Sequence, residues 1–168
     1  MAETQIRKYA VIERLGKMDV DVITLTPDTA TEECAAGDVI FQADELPNMV
    51  SVNAGTCMVH SIGLLDDDDN GQAIDIVFMD TTGLLDAGDD GGTIDAADGV
   101  IPDAILGVVS ITTYFDGIAW KYGHRENVGL VLKAAASTKS IYVSAVNRGS
   151  TATWTAAGLR LQIGVIKD

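Results

Sequence analysis

The chain has 168 residues, of which 47% are hydrophobic and 17 are glycine, and it carries a formal net charge of −14. This length suits one domain whose core buries roughly 70% of the unfolded surface, and the hydrophobic content excludes a disordered chain. A nucleic-acid-binding protein is disfavoured, because phosphate binding needs clustered cations and residues 19–118 contain 21 carboxylates without a single Lys or Arg.

The first 18 residues are predicted to form an arm outside the folded domain. Their apolar positions fit neither the period of a helix nor the alternation of a strand, and such terminal segments pack on a neighbour or fray. The arm combines cations with apolar anchors suited to a partner surface. Its candidate partner-binding residues are Ile6, Arg7, Lys8, Tyr9, Arg14 and Lys17. A secretory signal is absent from it, and no stretch of the chain approaches about 18 apolar residues, which indicates a cytosolic product without membrane spans.

Residues 19–168 are predicted to form a single all-β domain. In the segment 159–167, apolar residues alternate with polar or small ones from Leu159 to Val165. Short segments with strand character and intervening turn residues lie at 21–25, 37–42, 49–52, 56–65, 73–79, 106–115, 129–134, 139–146 and 159–167. Strands at this spacing, with almost no helical pattern, predict an antiparallel β-sandwich or jelly roll.

The stretch LLDDDDNGQAIDIVFMD, residues 64–80, contains four consecutive aspartates followed by Asn-Gly. Asp66, Asp68 and Asn70 have the spacing that opens an EF-hand calcium loop, but the twelfth position is Val77, where a bidentate Glu is needed. The apolar flanks predict two strands joined by a turn. We therefore expect a solvated hairpin tip, with a weak calcium site as the alternative and no other metal or cofactor.

Two further features of the central region concern a loop and the cysteines. Residues 81–105, TTGLLDAGDDGGTIDAADGVIPDAI, are predicted to form one long acidic loop, because glycine and aspartate interrupt any regular period there. Cys34 and Cys57 lack the C-x-x-C spacing and the clustered histidines of a zinc site. They are expected to be small buried thiols rather than a disulfide.

No catalytic motif is present, so an enzyme is not predicted. His60 falls inside a strand segment and His124 in a loop, and neither belongs to a motif that supplies a nucleophile or an orienting acid. A strand histidine such as His60 is expected to lie in the core. A glycosidase-like carboxylate pair lacks support, because the acids sit in loop runs and aromatic residues make up only 5% of the chain.

Residues 119–168 carry a net charge of +5 and begin with a cluster of aromatic and basic side chains. The candidate docking residues in this cluster are Trp120, Tyr122, His124 and Arg125. Aromatic residues and Arg dominate the hot spots of protein interfaces, which favours a docking role. The alternative is that Trp120 and Tyr122 fill the core. Trp154 is expected in the core or at an interface, with a sugar-stacking platform as the lesser alternative for both tryptophans.

The order of several phrases in the chain resembles the small head decoration, or cement, proteins of tailed bacteriophages. The phrases are AAGDVIFQADELPNM, QAIDIVFMDTTGLL, DAILGVVSI and GLVLKAAASTKSIYVSAVNRGSTATWTAAGLRLQIGVIKD. The resemblance covers roughly residues 20–168 and does not include the arm.

This resemblance implies a jelly roll or related β-sandwich that binds the outside of an icosahedral head, commonly as a homotrimer. Its implied partner is the major capsid protein, whose neighbouring subunits it would clamp. The implied location is the outer capsid surface of the virion, after synthesis in the host cytoplasm. A receptor-binding or carbohydrate-binding module on the same virion is the alternative function, and neither function requires nucleic acid, a membrane or a cofactor.

Overall fold

A computed structural model of the chain describes residues 19–81, 85, 91–94 and 104–168. These residues form twelve strands in three antiparallel sheets. The strands are β1 (Asp19–Leu25), β2 (Glu33–Cys34), β3 (Val39–Leu46), β4 (Thr56–Asp66), β5 (Ile74–Met79), β6 (Ile105–Ile111), β7 (Tyr114–Asp116), β8 (Lys121–Arg125), β9 (Leu130–Lys133), β10 (Ile141–Asn147), β11 (Ala152–Thr153) and β12 (Leu159–Lys167). The predicted arm, residues 1–18, lies outside the described residues.

Two sheets form the sandwich. The six-stranded sheet has the order β1-β12-β4-β8-β7, and β9 pairs with the other half of the long strand β4. The four-stranded sheet has the order β3-β10-β5-β6, while β2 and β11 form a short separate ribbon. If β8 and β9 count as one position, the eight principal strands occur in the orders 1-8-3-6 and 2-7-4-5, which is the arrangement of a jelly roll. The all-β, jelly-roll-like prediction is therefore confirmed.

The main core lies between the two sheets and follows from the alternation of their strands. In β12, Leu159, Leu161, Ile163 and Val165 are buried, and Arg160 and Gln162 on the opposite face are exposed. Trp154, Phe41 and Phe78 are the largest of the fully buried side chains. Trp154 is thus a core residue, which is one of the two locations, core or interface, expected from the sequence. Cys34 and Cys57 are both buried and form no disulfide, also as predicted.

A second, smaller core covers the outer face of the four-stranded sheet. Val39, Val77, Met79 and Val146 of this sheet contact Leu85 and Ile94, which come from the predicted long acidic loop. The loop is held to the sheet by backbone hydrogen bonds, from Gly91 N to Val39 O (2.7 Å) and from Val39 N to Gly92 O (2.8 Å). Part of the outer face of the four-stranded sheet is therefore apolar and covered. Most other residues of the predicted loop lie outside the described residues.

The aspartate run does not form the predicted hairpin tip. The strands on either side of it belong to different sheets: β4 pairs with β12, β8 and β9, while β5 pairs with β10 and β6. Residues 67–73, the aspartate crossover, carry the chain from one sheet to the other. The apolar flanks and the Asn-Gly turn are common to both connections, so the local sequence did not distinguish a crossover from a hairpin.

Three strand predictions also need correction. Residues 49–52 form bends and no strand, and the predicted strand 106–115 is broken at residues 112–113 between β6 and β7. Strand β8 was not predicted, and His124, which was expected in a loop, lies within it. Its alternation is interrupted by Gly123, which lies closely against Ile111 and Tyr114, so the pattern in KYGHR is too short to be recognised.

Candidate functional site

The outer faces of the two sheets differ in how they are covered. Leu85 and Ile94 cover part of the outer face of the four-stranded sheet, whereas the six-stranded sheet carries most of the large exposed apolar side chains in the described part of the chain. Those on or beside its outer face are Val20, Val22, Phe115, Ile118, Trp120 and Val131. Contiguous exposed apolar surface marks interaction sites in proteins, so this outer face is the candidate functional site.

One end of this face carries an apolar row that crosses four strands. Val20 of β1 is paired with Ile166 of β12, Ile166 with Met58 of β4, and Met58 with Val131 of β9. Residues directly opposite each other in a ladder share a face of the sheet, so these four side chains form a continuous strip, the apolar row. Val20 and Val131 at its two ends are each 66% exposed.

The other end of the face carries an aromatic groove. Arg160, Leu65, Tyr122 and Phe115 form a second cross-strand row over β12, β4, β8 and β7. Trp120 lies in the turn that joins β7 to β8, with its ring centroid 5.8 Å from that of Phe115. Together with Asp67, these residues line an open groove of about 460 Å³. Phe115 is 67% exposed and Trp120 is 39% exposed.

Polar and small residues separate the two ends. A third cross-strand row between them consists of Thr24, Gln162, Gly63 and His124. Met58 and Leu65 lie seven positions apart on β4, which places the apolar row roughly 20 Å from the aromatic groove at about 3.3 Å per residue. The face therefore presents two distinct apolar sites.

The structure brings together three of the four C-terminal residues predicted to dock. Trp120 and Tyr122 line the groove, and the ring of His124 stacks on that of Tyr122 with centroids 6.0 Å apart. Trp120 is exposed, so the alternative in which it fills the core is wrong. Arg125 is exposed and paired with Ile62, and by alternation it belongs to the opposite face at the sheet edge. The six predicted arm residues lie outside the described residues.

His60 does not lie in the core as expected. It is part of β4, but its side chain is exposed. Its backbone carbonyl accepts a hydrogen bond from Val128 N at 2.9 Å. Between Ser61 and Val59 the pairing with β12 shifts register, and this irregularity breaks the alternation that would have directed His60 inward.

Each of the four aspartates at the crossover has its own partner within the protein. Asp66 is fully buried, and its two carboxylate oxygens accept the N–H groups of Asp68 (3.2 Å) and Gly71 (2.7 Å). The partners of the other three are Thr155 for Asp68, Arg160 for Asp67 at 2.8 Å and Lys121 for Asp69 at 3.0 Å. The side-chain amide of Asn70 donates to the carbonyl of Thr153 at 2.9 Å.

These contacts bear on the alternative calcium site. The oxygens of Asp66 and Asp68 point to hydrogen-bond donors of the chain instead of converging on one point. Within the described residues, no group of three or more His, Cys, Asp or Glu side chains is arranged to hold a metal ion. Burial raises the pKa of Asp66, against the lowering effect of its backbone hydrogen bonds.

The acidic middle and the basic C-terminal part of the chain are joined by ion pairs. Four of the seven cations in residues 119–168 contact carboxylates from residues 19–118; these pairs are Lys121 with Asp69 and Asp116, Arg148 with Asp75, Arg160 with Asp67, and Lys167 with Asp21. The buried ammonium of Lys167 also lowers the pKa of Asp21. Arg125, Lys133 and Lys139 have no ion-pair partner among the described residues.

Several residues of this face were not identified from sequence. Phe115 and Ile118 belong to YFDGIAW, where Gly117 N donates to Trp120 O at 2.9 Å and closes a tight turn. Aromatic residues on both sides of an Asp-Gly dipeptide were the available signal for an exposed hairpin. Val20 and Val131 gave no signal, because an outward valine in a strand cannot be distinguished by sequence from an inward one.

Comparison with known proteins yields weak structural likenesses. No protein-family model matches the chain, and no curated protein is significantly similar to it. A structure described as the capsid of Ralstonia phage GP4 is 19% identical over 91% of this chain and 86% of its own, with a TM-score of 0.43. The structure of tomato aspermy virus is 9% identical over 97% and 93%, with a TM-score of 0.38. The coat protein of tobacco streak virus is 9% identical over 88% and 86%, with a TM-score of 0.28. These TM-scores are too low to assign a family or a function to the chain.

The described part of the chain contains no helix of the length and apolar character needed to cross a membrane.

Proposed function

We propose that this protein is a structural component of a phage virion that binds the outer surface of the capsid and clamps neighbouring capsid subunits. The observation that carries the proposal is the unequal covering of the two sheets. The four-stranded sheet has a second core over its outer face, whereas the six-stranded sheet exposes an apolar row across four strands. The phrase-level resemblance to head decoration proteins supplies the identity of the partner.

The apolar row is the proposed docking surface. Its outermost strand is β1, which begins at Asp19 directly after the predicted arm. The cations and apolar residues of the arm, Ile6, Arg7, Lys8, Tyr9, Arg14 and Lys17, would extend this surface along the capsid. A standard protein interface buries about 800 Å² on each partner, which is more than four side chains provide, so the row and the arm are proposed to act together.

Arg125 is proposed as a third contact. Its pairing with Ile62 places it at the edge of the sheet with its side chain directed away from the outer face, so it would contact the capsid from the rim of the docking surface. It is exposed and has no carboxylate partner in the described residues. Rim charges chiefly accelerate association and fix orientation, so Arg125 would orient the protein and the apolar row would hold it.

The major capsid protein is the proposed partner, and a homotrimer is the proposed state of the bound protein. Many symmetric copies, each with a modest contact, stabilise a shell through their combined occupancy. A ligand that prefers the assembled state shifts the equilibrium toward that state by mass action. Decorated heads are therefore expected to withstand higher temperature than undecorated ones.

The test adds the purified protein to undecorated heads of the phage that carries it and measures occupancy by co-sedimentation and head rupture on heating. Val131→Asp should weaken head binding by at least about tenfold, because it places a charge within an apolar contact. Val108→Asp is the matched control, since Val108 is also exposed but lies on β6 of the other sheet. Arg125→Glu should slow association, with a smaller effect at high salt.

Equal occupancy by the Val131→Asp and wild-type proteins would reject the docking surface. Heads that rupture at the same temperature with and without bound protein would reject the stabilising function. The trimer would be rejected if the free protein sediments as a monomer and the bound protein occupies heads as single copies.

A further inference from the structure

The aromatic groove has the dimensions of a small-ligand site. Its volume of about 460 Å³ falls within the range of roughly 300–1,000 Å³ that is typical of ligand pockets. A smaller and more enclosed cavity of about 110 Å³ adjoins it at Leu65, Tyr122 and Arg160 and is also lined by Thr24 and Gln162. Together the two cavities form an elongated site, which suits an extended chain of small units.

The aromatic side chains of the groove are held in place before any ligand arrives. Trp120 is fixed by the turn in which it lies, because its backbone carbonyl accepts the N–H of Gly117 at 2.9 Å. The indole lies so close to Gly117 that a Cβ at that position would approach it within 2.5 Å. Phe115 packs against the same indole, with the two ring planes inclined at 33°. Preorganised aromatic surfaces bind at a low cost in conformational entropy.

The polar groups of the groove carry no net charge. Arg160 and Asp67 form a 2.8 Å ion pair that neutralises both, and Thr24 and Gln162 are uncharged. The pair uses one of the five N–H donors of the guanidinium and one of the two carboxylate oxygens. Donors and acceptors thus lie side by side next to an aromatic surface, in a protein whose formal charge of −14 repels anions.

We propose that this groove binds a neutral oligosaccharide. Sugar rings would lie against Trp120 and Phe115, because the C–H faces of a pyranose are apolar. Adjacent hydroxyl groups, each a donor and an acceptor, would bond to the Asp67–Arg160 pair and to Gln162. A protein side chain is a poorer match, because interface anchors occupy well-packed, fully desolvated pockets, whereas this groove is open to solvent and combines its aromatic surface with a hydrogen-bonding ion pair. The inference does not depend on capsid docking, which is proposed for the opposite end of the face.

The test titrates the full chain with neutral oligosaccharides and follows tryptophan fluorescence and binding heat. The probes are hexasaccharides of α- and β-linked glucose, N-acetylglucosamine, mannose and galactose, and neutral oligosaccharides released from the surface of the host bacterium. Trp154 is buried in the core, so a spectral change reports on Trp120. At least one probe should bind with a Kd below about 1 mM, and a sulfated form of the same probe should bind more weakly.

Two variants distinguish the contribution of the aromatic surface to sugar binding from that of the Asp67–Arg160 pair. Trp120→Ala should weaken binding of that probe by at least about tenfold, as loss of a central aromatic contact does in other sites. Arg160→Gln leaves the aromatic residues in place and should weaken it by about fivefold to tenfold, the loss of one hydrogen bond. Val108→Ala, at an exposed position on β6 of the other sheet, should leave it unchanged, and thermal melting checks that each variant is folded.

The proposal is overturned if no probe binds more tightly than about 10 mM, or if the folded Trp120→Ala protein binds as the wild type does. It is also overturned if Trp120→Ala abolishes head binding while no sugar binds, since the groove then belongs to a protein interface. Loss of head binding with Val131→Asp but intact sugar binding would leave both proposals standing, so the two can fail separately.

Discussion

At the scale of single residues, the carboxyl group of Asp44 is held in an unfavourable environment. Its Oδ2 atom is buried and has no hydrogen-bond partner among the described residues. Burial raises the pKa of Asp44 above its ordinary value of 3.8, and the nearby negative charge of Asp28 raises it further. A buried carboxylate without a partner destabilises the folded state whenever it is ionised.

The sign of the pH effect follows from this pKa. Because the folded-state pKa is raised, the stabilising contribution of Asp44 is complete below about pH 3.8 and is lost as the pH rises through the folded pKa. Asp44→Asn should therefore stabilise the protein near pH 7, by on the order of 1 kcal/mol or less since the group is only partly buried. The difference in unfolding free energy between variant and wild type should shrink toward zero on acidification, as measured by urea unfolding from pH 7 to pH 3.5.

Asp28→Asn is the matched control, because it removes the neighbouring charge while the buried oxygen stays in place. It should stabilise the protein less than Asp44→Asn does at pH 7. A stability difference for Asp44→Asn that is independent of pH would show that Asp44 does not titrate in this range.

Cys57 shows how burial changes the pKa of a thiol. Burial raises its pKa to about 11, with a further contribution from the charge of Asp168. At pH 8 only about one thiol in a thousand would then be ionised, and the thiolate is the reactive form. Cys34 is also fully buried. Neither cysteine of the native protein should react with a thiol-specific dye within minutes at pH 8, and both should react at once in guanidinium. Rapid labelling of one equivalent in the native state would contradict the burial of these thiols.

At the scale of elements, the aspartate crossover shows that the residues of one run of charges can have different environments in the fold. Asp66 organises the turn from within, because its carboxylate accepts the N–H groups of Asp68 and Gly71. Asp69 lies on the surface in an ion pair with Lys121, and its side chain is 43% exposed. Adjacent residues of identical chemistry therefore have different structural roles.

Asp66→Ala should lower the free energy of unfolding by about 2–4 kcal/mol, because it leaves the partly buried backbone N–H groups of Asp68 and Gly71 without acceptors. Asp69→Ala removes the same charge and should cost less than about 1 kcal/mol, as exposed ion pairs do. Urea unfolding at pH 7 measures both values. Equal losses would mean that charge, and not the hydrogen bonds of Asp66, decides the effect.

The same pair of variants addresses the alternative calcium site. Since the oxygens of Asp66 and Asp68 already accept hydrogen bonds from the chain, EDTA should change the melting temperature little. A large drop with EDTA in the wild type that is absent in Asp66→Ala would establish a bound cation.

Sequence predicted those elements whose side-chain pattern is determined by one covered face. β12 alternates strictly and pairs on both sides, so both its existence and its inward residues were predicted correctly. The connection after Asp66 was not, because a hairpin and a crossover differ only in which distant strands complete each sheet. The covering of the outer face of β10 was also not predictable from local sequence, since Val146 packs in a cluster with a loop residue, Leu85, that is 61 positions away in the chain.

At the scale of the whole molecule, the division of charge along the sequence largely disappears on folding. Arg148, Arg160 and Lys167 lie against carboxylates from the first half of the chain. The sequence predicted a basic C-terminal docking region, but folding leaves only Arg125, Lys133 and Lys139 of these cations without ion-pair partners in the described residues. Charge pairing between distant segments depends on the jelly-roll topology, so the sequence could not show which cations stay available.

The arm provides the remaining cations, which makes its removal the most direct test of how the molecule attaches. Residues 19–168 contain both sheets and both cores, so deletion of residues 1–18 should leave a protein that unfolds cooperatively at nearly the same temperature. Head binding should weaken by at least about tenfold, because the arm would add charge and apolar anchors beside the row at Val20.

Replacing Arg7, Lys8, Arg14 and Lys17 with Gln should reproduce the part of this loss that disappears at high salt. Co-sedimentation with heads at two salt concentrations measures both effects. If the truncated protein occupies heads as fully as the intact chain, the arm is not an attachment device, and the apolar row must hold the capsid alone.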